Sequence, residues 1–182
     1  ENIKVLYNVE EYSVGSTGTR IEYAVIDNEK YIADTYIDCT QDADITVLAG
    51  GEYVIGWEDV NEKNRSMSAT LVIHMDNVDW NATCEAIRIE NLPNTGYTND
   101  SIWAFGNITE TYVPYQTNMR LKALNIGKQK DGSVLINSLQ IINADMLDKD
   151  AKERAYKKCV EEAGYVADFI KANVPGFEKA KL

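Results

Sequence analysis

The chain has 182 residues, 45% of them hydrophobic and 26% charged, with a formal net charge of −11. That size and balance suit one globular domain or one and a half small ones. An acidic surface repels nucleic-acid backbones and anionic membranes, so neither is an expected partner. No apolar run approaches the roughly 20 residues that a membrane span requires. No charged-then-apolar signal segment opens the chain. The cysteines, Cys39, Cys84 and Cys159, are odd in number and widely spread. They predict no disulfide framework and fit a reducing, cytoplasmic compartment. His74 stands alone on a strand-like run, which excludes a multi-histidine metal site. The Asn-x-Ser/Thr triplets at Asn64, Asn81, Asn99 and Asn107 read as chance in an Asn-rich chain.

In chain order, Ile3 to Tyr7 reads as a short buried strand, with Val9 to Val14 extending or pairing with it. Gly15 to Gly18 is a turn. Arg20 to Asp27 alternates as a strand, Asp27 to Glu29 turns, and Lys30 to Ile37 forms a further strand. Tyr36 to Cys39 reads as strand again. A short helix is expected from Asp42 to Gly50, capped by Thr40 or Asp42 and ended by Gly50-Gly51. Glu52 to Gly56 is a short strand and Trp57 to Ser66 a loop.

Met67 to Val78 predicts a long strand. Asp79 caps a helix from Trp80 to Glu90, with Ala82, Ala86 and Ile87 turned inward. Ser101 to Phe105 is a strand. Met119 to Lys128 and Ser133 to Asn143 form a hairpin whose Asp131-Gly132 is a strong turn signal. The longest helix starts at Asp148 or Asp150. It buries Ala155, Cys159, Ala163, Val166 and Ile170, and stops near Asn173 ahead of Pro175-Gly176. The fold class is α+β: a mostly antiparallel sheet with a long C-terminal helix, preceded by a small β-meander.

Several segments together resemble a known family. "YIDCTQDADITVLAGGEYVIGWED", Tyr36 to Asp59, looks like the stretch of FAD-dependent oxidoreductases of the two-dinucleotide-fold type in which a strand runs into an Asp-(Ala/Cys)-Thr-Gly-Asp-x-Asp sequence. Asp38, Cys39, Thr40, Asp42 and Asp44 supply that run, followed by Gly51, Tyr53 and Gly56; Gln41 stands where the family usually has Gly. "RSMSATLVIHMDNVDW", Arg65 to Trp80, resembles the substrate-domain strand. "LNIGKQKDGSVLIN", Leu124 to Asn137, resembles paired strands facing the flavin. "FIKANVPGFEKAKL", Phe169 to Leu182, resembles the end of the long helix and its turn.

The family's Gly-x-Gly-x-x-Gly, which holds the pyrophosphate at a helix N-terminus, is not in this sequence. The resemblance therefore implies an internal piece of a longer, bacterial-type enzyme. Residues 1–44 would be a meander and strand of an incomplete FAD-binding fold, and residues 45–182 a substrate-type domain. It implies FAD in the parent, contacts from Thr40, Gln41 and Asp42 to that cofactor, and little FAD binding or activity by the piece alone. Arg120, Asn125 and Lys128 are the candidate contacts to a small-molecule substrate. Strict alternation puts Arg120 and Asn125 on opposite faces of their strand. Apolar strands cut from their partners predict self-association. The rival reading is a stand-alone α+β binding or interaction domain without catalysis.

Overall fold

Asp27 and Asn28 both take left-handed backbone conformations, at φ 47° and 69°, in a two-residue hairpin turn. Short polar side chains tolerate that region, and the resulting twist suits a hairpin. In the computed structural model, which describes residues 3–62 and 65–182, this turn joins the last two strands of a meander. Its strands are β1 (Tyr12–Thr17), β2 (Arg20–Ile26) and β3 (Glu29–Tyr31), antiparallel in the order β1-β2-β3. Gly15 lies opposite Tyr23. A Cβ there would come within 2.3 Å of the Tyr23 ring, so only glycine lets the ring lie across the strand. Lys30 Nζ covers the same ring, 3.8 Å from its centroid.

The meander belongs to the first of two units, Glu1–Ile55 and Gly56–Leu182. Three strand expectations in the first unit fail. Ile3 to Tyr7 and Tyr36 to Cys39 join no ladder, and the strand expected over Lys30–Ile37 ends at Tyr31. Ile3 is 85% exposed and Ile37 83%. An apolar run becomes a strand only where a neighbour takes its N–H and C=O groups and a surface covers its side chains, and this unit offers neither. No described residue of the unit is buried. The expected short helix is present as α1 (Asp44–Leu48), ended by Gly50 at φ 80°. A fourth strand expectation, Glu52 to Gly56, across the boundary between the units, is likewise not met: these residues do not form a strand.

The second unit begins with a turn of 3-10 helix, Glu58–Val60, inside the expected loop; residues 63 and 64, and with them the asparagine of the Asn64 triplet, lie outside the described residues. It then runs β4 (Ala69–Met75), α2 (Trp80–Glu90), β5 (Gly96–Tyr97), β6 (Ser101–Ala104), α3 (Gly106–Thr109), β7 (Met119–Leu121), β8 (Leu124–Lys128), β9 (Val134–Ile141) and α4 (Lys149–Asn173). The sheet is antiparallel, in the order β4-β9-β8-β6-β5, with β7 also on β9. The Asp131-Gly132 hairpin forms as expected, with Gly132 at φ 90° and the Asp131 carboxylate accepting from the Ser133 N–H and hydroxyl. The α+β class, the meander and the long C-terminal helix are all present.

The strand expected over Met119–Lys128 is broken at Lys122 and Ala123. The Lys122 N–H reaches the Ser138 carbonyl at 3.0 Å. The Ser138 hydroxyl donates to the Ala123 carbonyl and accepts from the Asn125 N–H, at 3.1 and 3.3 Å. One buried hydroxyl thus satisfies the backbone groups that the break releases. Leu121 and Leu124 are both buried, three residues apart, so the alternation is reset between them.

The helices cover one face of this sheet. The core joins Ile73, Met75, Ile102, Leu124, Ile126, Ile136 and Leu139 of the strands to Ile87 of α2 and the α4 stripe. All five expected stripe residues of α4 are buried. Asp148 caps α4 by accepting from the Ala151 N–H, and Asp79 caps α2 by accepting from Ala82. In α2 the buried residues are Thr83, Cys84 and Ile87, while Ala82 and Ala86 are only half-buried. The shift follows from the Pro175–Phe177 turn, which docks on that helix. The Thr83 hydroxyl donates to the Pro175 carbonyl at 3.0 Å, and the Asp79 N–H to the Gly176 carbonyl at 2.8 Å.

Candidate functional site

In the first unit the acidic stretch folds around Asp38. One carboxylate oxygen accepts from the Thr40 N–H and hydroxyl, at 2.9 and 2.7 Å. The other accepts from the Thr46 N–H and hydroxyl, both at 2.8 Å. The Thr40 hydroxyl in turn accepts from the Asp44 N–H at 2.7 Å, at the start of α1. The N-cap of α1 is Ala43, at φ 57° and without a side-chain cap hydrogen bond, so neither Thr40 nor Asp42 holds the expected cap position; Thr40 reaches the first helical N–H from outside it, and Asp42 sits with Gln41 in the exposed turn ahead of the helix. Hydrogen bonds from Thr40, and then from Thr46, hold the Asp38 carboxyl well below the usual carboxylate range.

This turn does not fit the pyrophosphate of FAD. Asp38, Asp42 and Asp44 crowd seven residues with negative charge. The N-terminal residue of α1 already has its N–H taken by Thr40. No glycine-rich strand-to-helix turn is present in the sequence to bring backbone donors to a dianion. The exposed Asp42 carboxylate and Gln41 amide are suited to accepting from the hydroxyl groups of a polyol.

In the second unit the sheet face opposite the helices is exposed. Because the break at Lys122–Ala123 resets the alternation, Arg120 lies between buried Met119 and Leu121, and Asn125 between buried Leu124 and Ile126. Both therefore stand on the open face, which corrects the expectation that they point apart. Arg120 Nε donates to Gln140 Oε1 at 2.7 Å across the β7–β9 pair. Asn125 lies opposite Trp103 of β6. The Trp103 indole lies along β5, where a Cβ on Gly96 would come within 2.6 Å of it. Val72 and Leu135 add apolar area to the face, at 48% and 37% exposure. Lys128 has the parity of the buried residues Leu124 and Ile126, and its ammonium lies 5.3 Å from the Trp80 ring centroid. The structure thus brings Arg120 and Asn125 together on one face and places Lys128 apart from them.

Sequence reading passed over two residues that organise these regions. Asp38 was counted with the acidic run, and nothing in the run singles it out. Glu162 is fully buried in α4. One of its oxygens accepts from the Tyr112 hydroxyl at 2.5 Å and the Tyr115 N–H at 3.0 Å, and the other from the Gln116 N–H at 2.9 Å. Burial, and next the hydrogen bond to Glu162, pushes the Tyr112 phenol upward. The signal for Glu162 was legible, since it stands three residues after Cys159 and four before Val166, on the buried stripe. His74 Nε2 is 2.8 Å from Ser133 Oγ, whose hydroxyl donates to Asp131. A serine that gives its proton to a carboxylate is not poised as a nucleophile, so this chain ties the hairpin end to β4.

Among the described residues no cluster of metal-ligating side chains occurs, and no helix is long and apolar enough to cross a membrane. Neither a curated protein nor a solved structure matches the chain. The family model described as FAD dependent oxidoreductase matches residues 1–182, the whole sequence. With that match over every element described above, the chain belongs to the FAD dependent oxidoreductase family.

Proposed function

We propose that this chain supplies the substrate-binding domain of a bacterial-type FAD-dependent oxidoreductase that acts on a small molecule. The observation that carries the reading is the open sheet face that bears both Arg120, opposite Gln140, and Asn125, opposite Trp103. A guanidinium and an amide over an aromatic surface suit a substrate with an anionic or carbonyl group and an apolar body. For Lys128 the proposal rests on charge alone. FAD supplies the redox chemistry in such enzymes, while the protein orients substrate and excludes water. Thr40, Gln41 and Asp42 are proposed to meet the hydroxyl-bearing part of the cofactor, with the pyrophosphate held by residues other than these. Support for a cytoplasmic setting comes from the three free cysteines. The net charge of −11 argues against a nucleic-acid partner.

On this reading the chain alone is inactive and binds FAD weakly. Flavin-fluorescence titration of the chain is expected to give a Kd above about 100 µM, the weak end of the affinity scale. In the FAD-loaded enzyme, Arg120→Ala is expected to raise KM for an anionic substrate at least about tenfold, the loss of one charge-assisted hydrogen bond. Lys128→Ala is expected to change it less. Tight FAD binding by the chain alone, or an Arg120→Ala enzyme with unchanged KM, overturns the respective part of the reading. The chain is also proposed to self-associate, because Ile3, Val5, Tyr7 and Ile37 of the first unit are exposed.

A further inference from the structure

On the helix-covered side of the second unit's sheet, a groove of about 350 Å³ opens between the start of β4 and the first half of α4. Short side chains leave this space: Ala69 on the strand, and Ala155 and Cys159 on the helix. Leu71, Ile141 and Met146 complete an apolar lining. Apolar hollows of this kind hold apolar guests in place of water. The exposed Lys149 and Lys152 also line the groove. They stand three residues apart on α4, so both ammonium groups can reach one point. Among the described residues neither ammonium has an ion-pair partner, whereas Lys4, Lys157 and Lys171 each have one. Glu153, the one carboxylate of the lining, lies 2.9 Å from Lys157 Nζ, which takes up its charge. Asp148 and Asp150 of the same turn do not line the groove. Lys149 is the first residue of α4, an end at which the helix disfavours a cation. Its charge there does not serve the helix.

We propose that this groove is a binding site for a medium-chain carboxylate, with the apolar tail along Leu71, Met146 and Cys159 and the anionic group between Lys149 and Lys152. The site lies on the other side of the sheet from the open face that bears Arg120 and Asn125, and is separate from the function proposed above. Size sets the class of tail. A water-sized group fills about 30 Å³, so the space takes about ten to twelve non-hydrogen atoms, at the small end of ligand pockets. Charge sets the class of head. Two uncompensated ammonium groups beside a dry floor, on a molecule of net charge −11, complement a single small anion joined to an apolar body. A neutral amphiphile would leave the lysines unused, and a cationic one would be repelled by them.

The test is isothermal titration calorimetry of the whole chain with octanoate, and with 1-octanol as its neutral counterpart. Octanoate is expected to bind at one site with a Kd below about 1 mM, and 1-octanol at least about fivefold more weakly. Lys149→Gln combined with Lys152→Gln is expected to weaken octanoate at least about fivefold and to leave 1-octanol unchanged. Both side chains are exposed, so the fold is retained, which circular dichroism checks. Ala155→Leu, which fills the floor, should weaken both ligands. A second readout uses Cys159, which lies in the groove, against Cys84, which is buried outside it. In a Cys39→Ser background, saturating octanoate is expected to slow maleimide modification of Cys159 at least about threefold more than that of Cys84, measured by peptide mass spectrometry. No saturable binding up to about 10 mM octanoate overturns the proposal. Binding that none of these substitutions changes, without selective protection of Cys159, overturns the assigned site. 1-Octanol that binds as tightly as octanoate overturns the carboxylate as the ligand class.

Discussion

The two units of this chain use similar residues to opposite ends. In Gly56–Leu182, isoleucines and leucines at alternate strand positions meet helix stripes, and Ile102, Ile126 and Ile136 are buried. In Glu1–Ile55, Ile3, Ile32 and Ile37 are equally apolar and lie in solvent. The first unit is held by polar groups: the Asp38 knot, the Asp27 carboxylate accepting from the N–H groups of Glu10 and Glu11, and the Tyr12 hydroxyl on Asp44. Apolar residues stabilise only what they are buried against. At about 25 cal/mol per Å² of apolar area, an exposed isoleucine contributes little whatever its propensity.

The sharpest way to break the contrast is at the polar centre of the packed unit. Glu162→Ala removes a buried carboxylate and leaves the Tyr112 hydroxyl and two backbone N–H groups without their acceptor. A loss of about 3–5 kcal/mol is expected, read as a lower urea midpoint of the second unit's transition. Matched truncations come next. Ile126→Ala should cost about 2–4 kcal/mol, whereas Ile37→Ala should lie within about 0.5 kcal/mol of the parent. Equal costs at the two sites would show that Ile37 is covered in solution.

The smallest effect concerns pH. Asp38 has a depressed pKa in the fold, so its stabilising contribution is present above the unfolded value of about 3.9 and is lost as pH falls through the lower folded value. The amides of Thr40 and Thr46 are expected to keep their chemical shifts through the ordinary carboxylate range and to move only in stronger acid. Asp38→Asn should expose both amides to faster hydrogen exchange at neutral pH without moving the second unit's transition. Titration of both amides near pH 4 would contradict the arrangement.

The fold of the second unit was legible because its signals are local and agree with one another: Asp79 and Asp148 as caps, Asp131-Gly132 as a hairpin, and a three-and-four spacing on α4. In the first unit the signals at Ile3–Tyr7 and Tyr36–Cys39 state a need for neighbours, and a sequence does not say whether neighbours are there. The candidate site was legible in residue type but not in direction. Arg120 and Asn125 came from charge and hydrogen-bonding capacity. Their common face depends on a break closed by Ser138, fifteen residues past Ala123, and no local pattern announces that.

That break fixes chain length while leaving side chains free. Deleting or adding one residue between Leu121 and Leu124 would rotate every later position of β8 by half a turn, sending Asn125 into the hydrocarbon interior and Ile126 out to water. Exchanges of type at Lys122 and Ala123 carry no such consequence. Under the function proposed above, variation in ligand preference is therefore expected to come through substitution on β7 and β8, with the two-residue link held constant in length.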